Sequence, residues 1–244
     1  MKLAVLSDIH GNIAALDAVL AHARDHAVDQ MVNLGDICSG ALWPCETADR
    51  LIALDLPTIR GNHERQVLDG TFDGMGLSDQ HARATLRADQ LAWLAQLPAT
   101  HRLSDDILLV HGTPSSDLIY FLETVTEEGV RAATLHEVAE RAGAADAQLI
   151  LCGHTHVPRA VTLPDGRLIV NPGSVGLPAY RDDHPYPHAV ENGSPEARYA
   201  IVSDDTGRWE ASFHMVRYDW ERAACDAEAN GRQDWAKALR TGTV

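Results

Sequence analysis

The chain opens on a short, unbroken apolar run, Leu3 to Leu6, which stops at Ser7-Asp8. A run of that length without alternation predicts a strand buried on both faces. Asn12 stands where a helix cap is needed. Ile13, Leu16, Val19 and Leu20 then recur at helical spacing, which predicts a helix over roughly 13–26. A strand at 31–34, a helix near 46–54 and a short strand at 58–60 complete a βαβαβ start. Two helices are predicted around 79–87 and 89–96, the second ended by Pro98. A strand follows at 107–110. Thr124 with Glu127 reads as the capping box of a helix that runs to about 141. Another strand is predicted at 148–152. Hairpins are predicted from 159–163 with 167–170, around Pro-Asp-Gly, and from 199–203 with 209–216. The alanine-rich tail from Asp219 reads as helical. The stretch 179–197, rich in Pro, His, Asp and Gly, shows no period and predicts a long irregular lid or specificity loop. Together these elements predict a single α/β domain over 1–244, a four-layer α-β-β-α sandwich of two mixed sheets flanked by helices.

Polar motifs follow the predicted strands directly: Asp8-Ile9-His10, Gly35-Asp36, Gly61-Asn62-His63-Glu64, His111-Gly112 and Gly153-His154-Thr155-His156. In an α/β sheet the loops at the carboxyl ends of the strands converge on one crevice. Five strand ends therefore aim metal-competent side chains at one place. The chain has 13 histidines, and this convergence gives many of them a use. The donors are imidazole, carboxylate and amide oxygen without thiolate. That mix suits Mn, Fe, Zn, Ni or Co rather than copper(I) or an iron–sulfur cluster.

The ordered set D-x-H, G-D, G-N-H-E, H-G and G-H-T-H resembles the calcineurin-like metallophosphoesterases. The segment Asn171-Pro172-Gly173-Ser174-Val175-Gly176 is similar to the small bacterial phosphodiesterase-like branch of that family. The resemblance spans Asp8 to Gly176. It implies that Asp8, His10 and His156 bind one metal, that Asn62, His111 and His154 bind a second, and that Asp36 bridges both. It implies His63 as the catalytic histidine, close to the metals without ligating them. Mn is the metal expected first. The activity implied is hydrolysis of a small phosphate diester or monoester, with a lean to diesters.

Charge sharpens this expectation. Two divalent ions bring +4, and Asp8 and Asp36 offset two of it, which leaves a pocket of about +2. Metals about 3.5–4 Å apart bring the pKa of a shared water to roughly 7, and the hydroxide attacks phosphorus in line without a protein nucleophile. The whole chain carries −15, so a small anionic ester is favoured over a polyanion, and nucleic acid is a disfavoured partner. Two alternatives keep the same fold: a non-catalytic metal-binding scaffold and a nuclease. The full ligand set argues against the first, and the acidic balance argues against the second.

Other readings stay open at this level. Glu64 is either a carboxylate behind the ligands or a surface group. Gly173 and Ser174 either offer backbone N–H groups to substrate oxygens or form a tight turn. Arg181 either clamps a phosphate or is a solvated loop arginine. Trp43 either walls the substrate pocket or packs at a helix start beside Pro44. His184, Tyr186 and His188 read as part of a lid, as an extra metal site or as solvent-exposed loop residues. No segment of about 18 apolar residues occurs, and the N-terminal apolar run is too short for a signal core, so a cytoplasmic protein without a membrane partner is expected. Cys38, Cys45, Cys152 and Cys225 include no CxxC pair and are expected as reduced thiols. A homo-oligomer is neither required nor excluded.

Overall fold

A computed structural model describes residues 1–244. Thirteen strands and eight helices alternate along it. The first half contains β1 (Lys2–Leu6), α1 (Ile13–Arg24), β2 (Gln30–Asn33), α2 (Pro44–Leu54), α3 (Asn62–Asp69), α4 (Leu77–Thr85), α5 (Ala88–Gln96), β3 (His101–Ser104) and β4 (Ile107–Leu109). Then come β5 (Glu123–Thr126), β6 (Gly129–Ala132), α6 (Leu135–Ala142), β7 (Leu149–Leu151), β8 (Arg159–Thr162) and β9 (Leu168–Asn171). The chain ends with β10 (Ala179–Asp182), β11 (His188–Glu191), β12 (Ala197–Ser203), β13 (Glu210–Val216), α7 (Trp220–Ala229) and α8 (Gln233–Thr241).

Two sheets carry the fold. The first has the order β13-β12-β1-β2, and the second β3-β4-β7-β9-β8. β1 runs parallel to β2 and antiparallel to β12. β4, β7 and β9 are mutually parallel, with β3 and β8 antiparallel at the edges. The apolar run in β1 shows why the sheets stack. Leu3 and Val5 point between the sheets with Val32, Leu109, Leu151 and Val170. Ala4 and Leu6 point the other way, against Leu16, Val19 and Leu20 of α1. A strand with apolar side chains on both faces can only be buried on both. α6 covers the outer face of the second sheet through Val138 and Ala142, packed with Ile150 and Ile169. The predicted four layers are thus the observed ones. No helix is long and apolar enough to cross a membrane.

Three local expectations need correction. The capping box belongs to Thr134 and Glu137: the Thr134 side chain accepts from the Glu137 backbone N–H, and the Glu137 carboxylate accepts from that of Thr134. Thr124 and Glu127 have the same spacing, but Thr124 lies in the β5–β6 hairpin, whose turn reaches Gly129 at φ 120. The β-branched run Thr124-Val125-Thr126 favours the strand. The 179–197 stretch contains an ordered hairpin, with β10 and β11 antiparallel from Ala179↔Glu191 to Asp182↔His188. The predicted strand at 58–60 is reduced to a single bridge between Asn33 and Thr58. The tail is helical as expected, formed by α7 and α8. They pack through Ala223, Ala227, Trp235 and Leu239 onto Ala41, Leu42 and Leu177.

Candidate metal centre

The motif residues leave the carboxyl ends of parallel strands, β1 for Asp8 and His10, β2 for Asp36, β4 for His111, and β7 for His154 and His156. The turn at each exit is sharp. Asp8, His10, Asp36, His154 and His156 all have φ between 52° and 70°. Non-glycine residues avoid this region, and such strain persists where the surrounding structure fixes it, typically at functional sites. Gly61 and Gly153 give the carboxylates room. A Cβ on Gly61 would lie 2.1 Å from Oδ1 of Asp36, and one on Gly153 would lie 2.9 Å from Oδ2 of Asp8.

Two ligand groups result: Asp8 with His10 and His156, and Asp36 with His111 and His154. Each imidazole has its tautomer set by a backbone carbonyl. Nδ1–H donates to Ser39 O from His10 (2.7 Å), to Leu34 O from His111 (2.8 Å) and to Leu177 O from His156 (2.8 Å). Those rings therefore turn Nε2 inward. His154 is reversed: its Nε2–H donates to Leu118 O at 3.1 Å and leaves Nδ1 inward. Holding one ring nitrogen so that the other is free is the usual support for a metal-bound histidine.

The inward atoms supply the test of fit. Nε2 of His10 and Nε2 of His156 face each other at 3.1 Å. Nε2 of His111 faces Oδ1 of Asn62 at 3.1 Å and Oδ2 of Asp36 at 3.1 Å. With neutral rings these are acceptors facing acceptors, which is favourable only with a cation between them. Without metal, a proton takes that part. Burial opposes charge on His111, but Asp36 overcomes it and draws the pKa up to about 10. Burial and then His156 push His10 down to about 4, and burial and then His111 do the same to His154. The donor set fits divalent ions.

Two carboxylates support the ligands. Glu64, 1% exposed, accepts three backbone N–H groups, from Asp36 (2.8 Å), Ile37 (2.7 Å) and Gly61 (2.8 Å). It is thus the buried brace of the Asp36 loop, not a surface group. Asp79, on α4, accepts from Nδ1 of His63 at 2.8 Å and from Oγ of Ser39 at 2.6 Å. The sequence reading missed Asp79, because no local pattern ties it to a histidine on another helix. Burial works against a charged His63, but Asp36 and then Asp79 outweigh it and raise its pKa to about 9.

The four substrate-contact candidates separate. Arg181 lines the site's cavity of about 1000 Å³, together with His10, Asp36, Asn62, His63, His154 and His156. Its guanidinium donates to the Val244 carbonyl at 3.1 Å. Gly173 and Ser174 are not among the lining residues. Oγ of Ser174 instead donates to Asp8 O at 2.7 Å and accepts from the Leu177 N–H at 2.8 Å, so it braces the Asp8 turn. Gly173 is buried beneath Arg198 and Pro158. Trp43 precedes Pro44 at the start of α2 and packs on the C-terminal helices, with the Arg222 guanidinium 5.9 Å from its ring. The indole that does line the cavity is Trp235 on α8, 6.0 Å from the His10 ring. Trp235 also belongs to the core, in one cluster with Leu42 and Leu177.

Paired sheets whose strand ends carry two His–Asp groups define an α/β protein with a candidate metal centre. The chain belongs to the calcineurin-like phosphoesterase superfamily: the sequence profile of that domain matches residues 1–190. The chain is similar, at 24% identity over 96% of its length and 94% of the relative's, to the uncharacterized protein MJ0912 of Methanocaldococcus jannaschii. Its fold resembles a metallophosphoesterase from Sphaerobacter thermophilus, with TM-score 0.77, 24% identity and 99% of each chain covered. It also resembles the hypothetical protein PH1004 of Pyrococcus horikoshii OT3, with TM-score 0.77, 17% identity, and 99% of this chain and 98% of that one covered. Membership implies a hydrolase that works with divalent metal ions. β12, β13, α7 and α8, with Trp235, lie beyond the residues that the family profile matches.

Proposed function

We propose that this protein is a two-metal phosphoesterase acting on small phosphate diesters, with monoesters as weaker substrates. The observation that carries this reading is the pair of acceptor-to-acceptor contacts, His10–His156 and His111–Asp36, opening into one cavity. Asp8, His10 and His156 would hold one ion. Asn62, His111 and His154 would hold the other, with Asp36 shared. When bound, such ions acidify a water and neutralise the phosphoryl oxygens.

The remaining work belongs to the chain. His63 is half-buried at the cavity wall, with Nδ1 fixed by Asp79 and Nε2 left as its free nitrogen. Charged at neutral pH, it would donate a proton from Nε2 to the departing ester oxygen. Tyr120, Tyr180 and Trp235 offer flat apolar surface, and Arg181 and Lys237 offer positive charge near the rim. A volume of about 1000 Å³ is at the upper end for small-ligand sites and accommodates an arm on each side of a phosphate. This supports diesters. Mn is the first ion to try.

The test is to reconstitute the protein with Mn²⁺ and compare bis-p-nitrophenyl phosphate with p-nitrophenyl phosphate. Higher kcat/KM on the diester is expected. No turnover of either, with metal demonstrably bound, would overturn the reading.

A further inference from the structure

A second histidine cluster lies away from the cavity. His22, in the last turn of α1, His26, just beyond that helix, and His214 on β13 bring one ring nitrogen each within 4.8 Å of one another. Their ring centroids are 4.5 Å (His22–His26), 4.8 Å (His26–His214) and 5.6 Å (His22–His214) apart. None of the three lines the catalytic cavity.

The geometry points to a separate metal site, and we infer that His22, His26 and His214 bind one Zn²⁺-type ion on the outer face of the protein. Each ring commits one nitrogen to a protein partner and keeps the other free. Nδ1 of His26 donates to His22 O at 2.9 Å. Nδ1 of His22 lies 2.8 Å from the hydroxyl of Tyr199, and Nε2 of His214 lies 3.1 Å from Oγ of Ser212. These are the outer contacts that orient metal-bound imidazoles. The spacing suits chelation as well, because histidines four apart at a helix end project from one face.

The platform is fixed. Tyr199 is fully buried and stands opposite His214 in the β12–β13 register, the two rings stacked at 5.0 Å. All three histidines are half-buried, so one side stays open to solvent. No carboxylate pairs with any of them, and burial together with His26, His22 and Lys2 holds His214 below its ordinary pKa. Three imidazole donors without an acid select Zn²⁺, Ni²⁺ or Cu²⁺ over Mg²⁺, Ca²⁺ or Mn²⁺. β13 is an edge strand, held in its sheet by β12 alone. An ion here would clasp that edge to α1, a structural task independent of catalysis.

The test is zinc stoichiometry on the full chain after saturation and removal of free metal. Wild-type protein should hold one more ion than H214A or H26A, and these variants should keep Mn²⁺-supported phosphoesterase activity. Zinc affinity at this site should fall by about a hundredfold when one ligand is lost. Equal stoichiometry in wild type and folded variants would overturn the site. If the variants fail to fold, anomalous diffraction at the zinc edge decides on wild-type crystals. A peak between the three rings upholds the proposal, and its absence refutes it.

Discussion

Nδ1 of His63 donates to Oδ1 of Asp79 across 2.8 Å, joining the first turn of α3 to α4. The same carboxylate oxygen accepts from Ser39, whose carbonyl in turn receives the Nδ1–H of His10. One acid therefore links the proposed proton donor, His63, to the loop that holds His10. His63→Ala should lower kcat by about 10²–10⁴-fold with both metals retained.

Asp79→Ala should lower kcat by about tenfold to a hundredfold, with KM little changed, because orientation is lost and not binding. It should also move the pH profile. Asp79 helps raise the His63 pKa to about 9, and the charged form is the one proposed to act. Activity then falls as pH rises through that pKa, so without Asp79 the alkaline limb shifts to lower pH. A profile displaced upward would contradict the assignment.

Chelation should abolish turnover and also destabilise the fold. Removing the ions leaves His10 facing His156 and Asp36 facing His111 across 3.1 Å. At free metal a hundredfold above Kd, the bound state gains about 2.7 kcal/mol. Calorimetry with and without EDTA should show a lower Tm for the stripped protein, restored by added Mn²⁺.

Glu64→Ala removes the acceptor of three buried N–H groups. Each orphaned donor costs about 1–3 kcal/mol, so a loss of roughly 3 kcal/mol or more in urea unfolding is expected. Metal content should drop too, because the same N–H groups position Asp36.

Gly61→Ala places a methyl 2.1 Å from Oδ1 of Asp36. The carboxylate must move, and a displacement of about 1 Å at a reacting site costs about a hundredfold. Metal analysis should show loss of at least one ion. Gly76→Ala, whose Cβ would meet nothing within 4 Å and whose φ of −65° is also negative, serves as the control for adding a methyl alone.

Much of the site was legible because its signals are local. A strand buried on both faces must be apolar, so the first polar residues after Leu6, Leu34, Val110 and Cys152 mark where the chain leaves the core. Asn12 was legible as a cap for the same reason: its side chain accepts from Ala15 N–H, three residues on. Local signals also misled. Thr124-x-x-Glu127 and Thr134-x-x-Glu137 are equivalent as caps, and the β-branched run at 124–126, paired with β6 in the hairpin, separates them. The hairpin of β10 and β11 was hidden because His, Pro and Asp interrupt its alternation.

By itself, then, the sequence determined the layers of the fold and the seven metal-competent side chains, since both follow from where apolar runs begin and end. Tertiary packing decided what those side chains meet. The partner of His63 is an aspartate on another helix, the indole over the cavity is Trp235 and not Trp43, and His214 comes to His22 from the far end of the chain. Periodicity records which face of an element is buried. It carries no record of which residues from distant elements share that burial, because close packing sets those contacts only once the layers have assembled.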